Sequence, residues 1–375
     1  MHLRAIARNY SFRNRRWQRH PKRVTMKVSI VIVNYNHGRF LQQAISSALE
    51  QTYSNTEVIV IDDGSTDESS EVIKSYGNRI ISILKENAGQ SSCYFRGLAV
   101  TRGDLVLYLD ADDFLYPHCL QEVVDNWRQG SVKAHFYLDV VDETGVRMDA
   151  VVPSGRLGSG TEPLKMMRRF GAYCSPPASG NIYSRAFLTQ ILTVENEHEF
   201  RRFDSIQFGA DSVPILAAPY FGTITAIRQV LGCYRRHSNA SGAVASTFQA
   251  QTALHRLEKE HQRDLLRDRA WRLATGETAT PKLLEPSRLK RRLCYLRLAG
   301  NGLESADKRL SLAAQGILST ICWDGYSSTQ KIAVSGWFLG IALLPLKIAE
   351  MLIQPALGIS NRSAGLRKFL RPRTV

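Results

Sequence analysis

With 375 residues the chain can bury a sizeable core, as one large domain with additions or as two domains, and its 44% apolar content is ordinary for a globular protein. A formal net charge of +15 calls for an anionic partner: a nucleotide, an anionic lipid, a nucleic acid or an acidic polymer. None of the six cysteines (Cys93, Cys119, Cys174, Cys233, Cys294 and Cys322) forms a CxxC pair or stands beside a histidine at zinc spacing, which sets structural zinc aside and reads as reduced thiols in a cytoplasmic protein.

Residues 1–26 open the chain as a basic extension expected to be disordered. Arg4, Arg8, Arg13, Arg15, Arg16, Arg19, Lys22 and Arg23 occur there with no acid. No apolar run follows these basic residues, so no secretory signal is expected, and Met26, directly before the first strand, is an alternative start. A regular pattern then begins. Residues 28–33 read as a buried strand, 34–38 as a loop and 40–51 as a helix with Phe40, Leu41, Ala44, Ile45, Ala48 and Leu49 at helical spacing. A second strand spans 57–61 and is closed by Asp62, Asp63, Gly64 and Ser65. Asp67 is placed to cap a helix running to about Tyr76, a third strand spans 79–84, and a helix covers about 91–101. Strands alternating with helices imply a parallel sheet with right-handed crossovers.

The next strand, 105–109, is apolar throughout and ends in Asp110, Ala111, Asp112 and Asp113. Carboxylates so close repel one another unless a cation lies between them, and Mg²⁺ or Mn²⁺ takes oxygen ligands from carboxylates and substrate phosphates. The plain alternative is a solvated acidic turn with Asp113 capping the next helix. Against it, Tyr35, Asp62, Asp63, Asn87 and Asp110 to Asp113 all follow strand ends of one polarity, where open α/β sheets bind ligands. There is no GxGxxG after the first strand and no GxxxxGK[ST] anywhere, so dinucleotide and P-loop sites are disfavoured.

Four motifs in order, VSIVIVNYN (28–36), EVIVIDDGSTD (57–67), NAGQS (87–91) and GDLVLYLDADD (103–113), resemble the inverting glycosyltransferase family 2, of GT-A fold. The resemblance is strong over about 28–120 and fainter to about 241. It implies transfer of a sugar from a nucleotide-diphosphate donor, a UDP-sugar, to an acceptor hydroxyl of a glycan or lipid-linked glycan, in cell-surface polysaccharide or glycolipid synthesis. By position, Tyr35 would lie against the donor base, with core packing beside a turn as its plain role. Asp63 would read a uracil-type N–H, with Asp62 orienting the loop, and Asn87, Gly89, Asp110 and Ala111 would line the donor. Asp112 and Asp113 would hold a divalent cation, Mn or Mg. After Asn87 and Gly89 the family often carries Arg-Asn before a helical Gly; here Tyr94 and Phe95 stand there, and Arg96 is the shifted substitute for the charge.

Downstream, 134–141 reads as a further strand, and 173–181 resembles the family's acceptor-side loop. Gly209-Ala210-Asp211 before an apolar run resembles the family's Gly-Glu-Asp helix start, with Ala210 in place of Glu. That makes Asp211 the expected catalytic base, and a helix cap is its plain role. Cys233 to Ser241 resembles a Tyr-Arg-x-His tail, which would bring His237 to the metal and Arg235 or Arg236 to phosphate. The domain division expected is therefore 1–26, a GT-A catalytic domain over 27–242, and a helical, basic region over 243–375. That last region holds a long helix over 248–274 and a basic helix over 287–297. Its apolar run over 334–346 is too short to span a bilayer and would lie at the inner face of the cell membrane, with Trp337 and Phe338 inserted and Arg362, Arg367, Lys368, Arg371 and Arg373 on anionic headgroups. Packing on the catalytic domain is the plain alternative. Two other functional classes fit part of the pattern: a nucleotidyltransferase with the same acidic site, and a non-catalytic basic module for lipid or nucleic acid. No nucleic-acid partner is expected, because such a module leaves the acidic crevice without a purpose.

Overall fold

The computed structural model describes residues 25–193, 210–237, 283–299, 306–323 and 326–357, together with positions 197, 198, 201, 261, 268, 272 and 276. Most of the expected N-terminal extension, most of the helix expected over 248–274 and the basic residues after 357 lie outside the described residues.

Strand β1 (Val28–Asn34) is buried along its whole length. It pairs in parallel with β2 (Thr56–Asp62) on one side and β4 (Leu105–Asp110) on the other, and β3 (Ile81–Leu84) extends the sheet beyond β2. Alternate β1 side chains enter two cores, as a strand covered on both faces requires. Ile30 and Ile32 pack under α1 (Gly38–Leu49), with α2 (Ser69–Ser75) beside it. Val31 and Val33 pack under α3 (Gln90–Val100). The registers Asn34↔Asp62 and Val33↔Asp110 bring the polar ends of three strands to one edge.

Beyond β4 the sheet turns mixed. β5 (Phe114–Leu115) follows the acids directly, so Asp113 precedes a strand and not the helix it was placed to cap; α4 (Cys119–Asn126) comes later. β6 (Ser131–Val141) carries β7 (Arg147–Val152) antiparallel at one side. The sheet order is β3-β2-β1-β4-β8-β6-β9-β5, where β8 (Asn181–Ser184) runs antiparallel to β4 and β6, and β9 (Thr223–Arg235) runs parallel to β6. The pairing Phe114↔Cys233 sets the acidic turn beside the end of β9. Helices α5 (Glu162–Phe170), α6 (Arg185–Ile191) and α7 (Ser212–Phe221) complete this α/β unit, which has the GT-A arrangement that the motifs imply.

The last four helices are α8 (Pro286–Ala299), α9 (Ala306–Cys322), α10 (Ser328–Leu343) and α11 (Leu346–Leu357). They share a third core with Phe170 of α5, whose ring meets Trp323 edge-on at 4.8 Å. This core overturns one expectation. Trp337 and Phe338 are inside it, 6% and 0% exposed, so neither is free to enter a membrane interface. The basic helix also turns charged residues into this core. Arg288, Lys290 and Arg297 are buried, with Lys290 Nζ donating to the Tyr326 hydroxyl at 3.0 Å and Arg297 to the Leu344 carbonyl at 2.6 Å. Apolar composition alone could not choose α10's inward face, because the helix is apolar nearly all round.

Gly316 of α9 makes this packing possible: a Cβ there would stand only 2.2 Å from a carbon of the Phe338 ring. Gly316→Ala should therefore destabilise the helical core by roughly 1–3 kcal/mol, the usual cost of overpacking. Urea unfolding should show the loss, and adding Phe338→Leu should recover part of it.

Candidate active site

The loops at the common strand edge are tied to each other before any ligand is considered. Asp62 accepts from Asn34 Nδ2 at 2.6 Å, Ser65 Oγ at 2.5 Å and Ser65 N at 3.0 Å. Asn36 takes a left-handed backbone conformation (φ 53°), a role Asn tolerates. Its N–H donates to Ser65 Oγ at 2.8 Å, and its own side-chain oxygen accepts from Thr66 N at 2.8 Å. Asp67 accepts from Gly38 N at 2.9 Å and from Ser69 N at 3.1 Å, so it joins the two loops instead of capping a helix at its own position; α2 begins at Ser69. Asp62 thus has the loop-orienting role, and Tyr35 is left 48% exposed over the crevice.

Tyr35, Asp63, Asn87, Gly89, Asp110, Ala111 and Asp112 line one cavity of about 310 Å³. Asp63, 3% exposed, accepts from Ala88 N and Gly89 N, each at 2.9 Å, and is paired with Lys85. A carboxylate has about four lone-pair positions, so one remains for a ligand N–H. Gly64 lets this loop close: its φ is +75°, and a Cβ would stand 2.7 Å from Asn87 N.

The acids are held apart by different partners. Asp110 Oδ1 accepts from Gln90 Nε2 at 3.2 Å. Asp112 Oδ2 faces His237 Nε2 at 2.9 Å. Asp113, 1% exposed, accepts from Ser179 Oγ at 2.6 Å and Arg235 N at 2.9 Å. One carboxylate oxygen from each of the three acids lies within 4.8 Å of the others, and so does one ligand atom from each of His37, Asp112 and His237. Burial first, and the neighbouring carboxylates second, hold Asp110 and Asp113 well above the usual carboxylate range. His237 is buried, and its Nδ1 has no hydrogen-bond partner among the described residues. Crowded carboxylates and an under-used imidazole form a donor set that fits a divalent cation.

Arg235 does not face phosphate. It is 2% exposed beneath the acidic turn, where its guanidinium donates to the carbonyls of Asp112 and Glu143 at 2.8 Å each and to Gln43 Oε1 at 2.5 Å, 4.7 Å above the Phe40 ring. Arg236 is the exposed member of the pair.

Asp211 stands directly before α7 and makes no capping hydrogen bond to it. Burial pushes its carboxyl up to about 6, against the pull of Lys133 and nearby backbone N–H groups. Gln90 joins this side to the acids, since its Oε1 accepts from Ala210 N at 3.1 Å while its Nε2 donates to Asp110. Lys133, fully buried, donates to Tyr173 Oη and Ser175 Oγ at 2.8 Å each and so fixes the loop over 173–181. Gly209, Phe203 and Asp204 lie outside the described residues, as do Ser238 to Ser241.

Arg96 is not brought to the crevice. Tyr94 takes the inward position on α3, stacked on Tyr108 at 3.8 Å, and Gly97 sits against Val31, which turns Arg96 outward to line a different cavity. Gln90, Ser179, Lys85, Lys133 and His37 went unnoticed in the sequence. Gln90 stands inside the NAGQS motif and His37 directly after the first, so position was the available signal. The other three act through tertiary contacts that leave no local pattern.

Because the acids' folded-state values lie above their unfolded ones, the folded protein holds protons that the unfolded chain has lost, and stability falls as pH rises through that interval. Without metal the Tm should drop as pH rises above the ordinary carboxylate range. Added Mn²⁺ should raise it far more at pH 7.5 than at pH 5, as differential scanning fluorimetry would show.

The family model described as glycosyl transferase family 2 matches residues 29–174. An uncharacterized glycosyltransferase of Nostoc sp. is 31% identical over 257 residues, covering 67% of this chain and 78% of the relative. Among solved structures, Staphylococcus aureus TarS residues 1–349 in complex with UDP aligns over 90% of this chain and 93% of that one, at 13% identity and a TM-score of 0.47. Glucosyl-3-phosphoglycerate synthase from Mycobacterium tuberculosis, in complex with Mn²⁺, UDP and phosphoglyceric acid, aligns over 56% of this chain and 72% of that one, at 20% identity and a TM-score of 0.35.

Proposed function

The chain belongs to glycosyl transferase family 2, and we propose that it moves a sugar from a UDP-sugar donor to a hydroxyl of a glycan or lipid-linked glycan, with inversion, in cell-surface polysaccharide or glycolipid synthesis. The observation that carries this is the joining of two acidic centres by one side chain. Gln90 holds Asp110 in the donor crevice and the amide just before Asp211 at once. Family membership also sets aside the nucleotidyltransferase and the basic binding module.

Within residues 27–242, the catalytic unit, Tyr35 packs on the donor base and Asp63 accepts its N–H, while Asn87 and Gly89 close the rim. Asp110 and Ala111 face the ribose. Asp112 and His237 would hold a divalent cation, Mn or Mg, with Asp113 fixing the turn behind them. When bound, that cation neutralises charge on the leaving diphosphate. Asp211 takes the acceptor hydroxyl's proton as that oxygen attacks the anomeric carbon from the face opposite the diphosphate, which inverts the centre. The upward shift of Asp211 suits it, because a base with a value near the working pH is ionised yet still binds a proton.

Asp211→Asn should lower kcat by roughly 100- to 10,000-fold while calorimetric UDP affinity stays within a few-fold. In the parent, kcat/KM should rise with pH through about 6 and then level, and the variant should lack that limb. Asp63→Asn should instead weaken UDP and lose less at saturating donor. Near-parental kcat in Asp211→Asn would leave Asp211 as a helix-start residue only.

Lipid-linked acceptors lie at a bilayer, and the C-terminal helices offer a face for the inner surface of the cell membrane. Among the described residues no helix is long and apolar enough to cross a membrane. Ile332, Leu339 and Leu343 of α10 fall on one stripe at 75%, 46% and 65% exposure, and Met351 of α11 is 72% exposed. Five Lys/Arg and no acid follow residue 357 in the sequence. Apolar insertion combined with basic attraction to anionic headgroups fits such a surface. Leu343→Asp with Met351→Asp should reduce co-sedimentation with phosphatidylglycerol vesicles, as should high salt, which screens headgroup attraction. Parental protein that stays in the supernatant at low salt would end this assignment.

A further inference from the structure

We propose that His37 is a ligand to the divalent cation, so that the centre is a two-imidazole, one-carboxylate site made by His37, Asp112 and His237. This rests on the assignment of Asp112 and His237 to the cation, and adds a residue from a different part of the chain. His37 is the last residue before α1, and its carbonyl accepts from Phe40 N at 2.9 Å and Leu41 N at 3.0 Å. Asn36 and Gly38 on either side are tied to Ser65, Thr66 and Asp67, so the backbone that carries the ring is fixed from both flanks. The ring is half-buried at the wall of the donor crevice and meets the His237 ring edge-on, with centroids 5.4 Å apart. One ligand atom from each of His37, Asp112 and His237 lies within 4.8 Å of the other two.

The same carboxylate also belongs to an all-acid group with Asp110 and Asp113. There, however, Asp113 has one oxygen on Ser179 and the other on Arg235 N, and Asp110 is engaged by Gln90. Of the two sets, the mixed one is engaged only within itself: Asp112 Oδ2 and His237 Nε2 face each other at 2.9 Å, a contact a cation would replace, and His237 Nδ1 has no partner among the described residues. The chemistry differs as well. Two neutral imidazoles and one carboxylate cancel one unit of the cation's charge and leave the remainder for a diphosphate. Nitrogen ligands also favour Mn²⁺ and later transition ions over Mg²⁺, which prefers an all-oxygen shell.

The test uses the full-length protein and Mn²⁺ alone, without nucleotide. Electron paramagnetic resonance gives the free Mn²⁺, and electron spin echo modulation reports nitrogen nuclei bound to the ion. The parent should bind Mn²⁺ at least about tenfold more tightly than Mg²⁺ and show two imidazole nitrogens. His37→Ala and the bulkier His37→Gln, each checked for parental circular dichroism, should lose one nitrogen coupling. Their Mn²⁺ affinity should fall by at least the roughly 10- to 100-fold seen when an outer-shell partner is removed. If both variants keep parental affinity and the parental nitrogen count while Asp112→Asn loses the ion, His37 is not a ligand and the Asp112 assignment stands. If Asp112→Asn also keeps the ion, the cation assignment itself falls. A His37→Ala defect that appears only as weaker UDP binding, equal with and without Mn²⁺, would make His37 a phosphate contact and overturn the proposal.

Discussion

Three carboxylates at the end of one buried strand are a cost the fold must carry before it can use them. A strand covered on both faces delivers the three together, with Asp113 buried and Asp110 and Asp112 half-buried at the crevice wall. The turn could relax by splaying the acids into solvent, and the structure prevents this with the guanidinium of Arg235 beneath it. That group is bound to backbone carbonyls on two segments and to Gln43, not to the carboxylates themselves. The clamp therefore fixes the position of the negative charge and offsets it only through space, at Asp113 and Asp112, with no direct ion pair. The remaining repulsion sits at the edge of the sheet that lines the crevice.

Much else follows from that arrangement. Because β5 pairs with β9, the chain leaves the acids and is immediately locked to the strand that carries Arg235 and leads to His237. The loop after β1 is locked in turn to the loop after β2 through Asn34, Asn36, Ser65 and Asp67. Donor-side groups thus stand on short, cross-braced turns at the ends of a rigid sheet, which suits a site that must hold its geometry before ligand arrives.

The sheet, its polarity and the crevice were legible because they rest on local signals: apolar runs of strand length, helical spacing, and acids at strand ends. Asp63, Asp110 and Asp112 could be named from position alone. What was illegible depends on which way a residue faces once a distant element has packed. Arg235 and Arg236 are adjacent and chemically alike, and only the pairing of β9 decides that the first is a buried clamp. Arg96 turns outward because Tyr94 and Gly97 take α3's inner face. Trp337 and Phe338 look equally suited to lipid or to a protein core until Gly316 is seen to leave room for a ring. In each case the sequence states a side chain's chemistry while a non-local contact assigns its surroundings.

Gln90 has a consequence for how the two halves of the centre can change. Its amide presents opposite polarities at its two ends, giving a hydrogen to Asp110 and receiving one from Ala210. The two side chains nearest to it in shape or length fail at one end each. Glu would meet Asp110 with like charge, and Lys could not receive from the amide. A flip of the amide would place oxygen against carboxylate and nitrogen against N–H, breaking both bonds together. The contacts to Asp110 and to Ala210 are thereby made or lost together, through one side-chain torsion and with no change in the backbone that carries it.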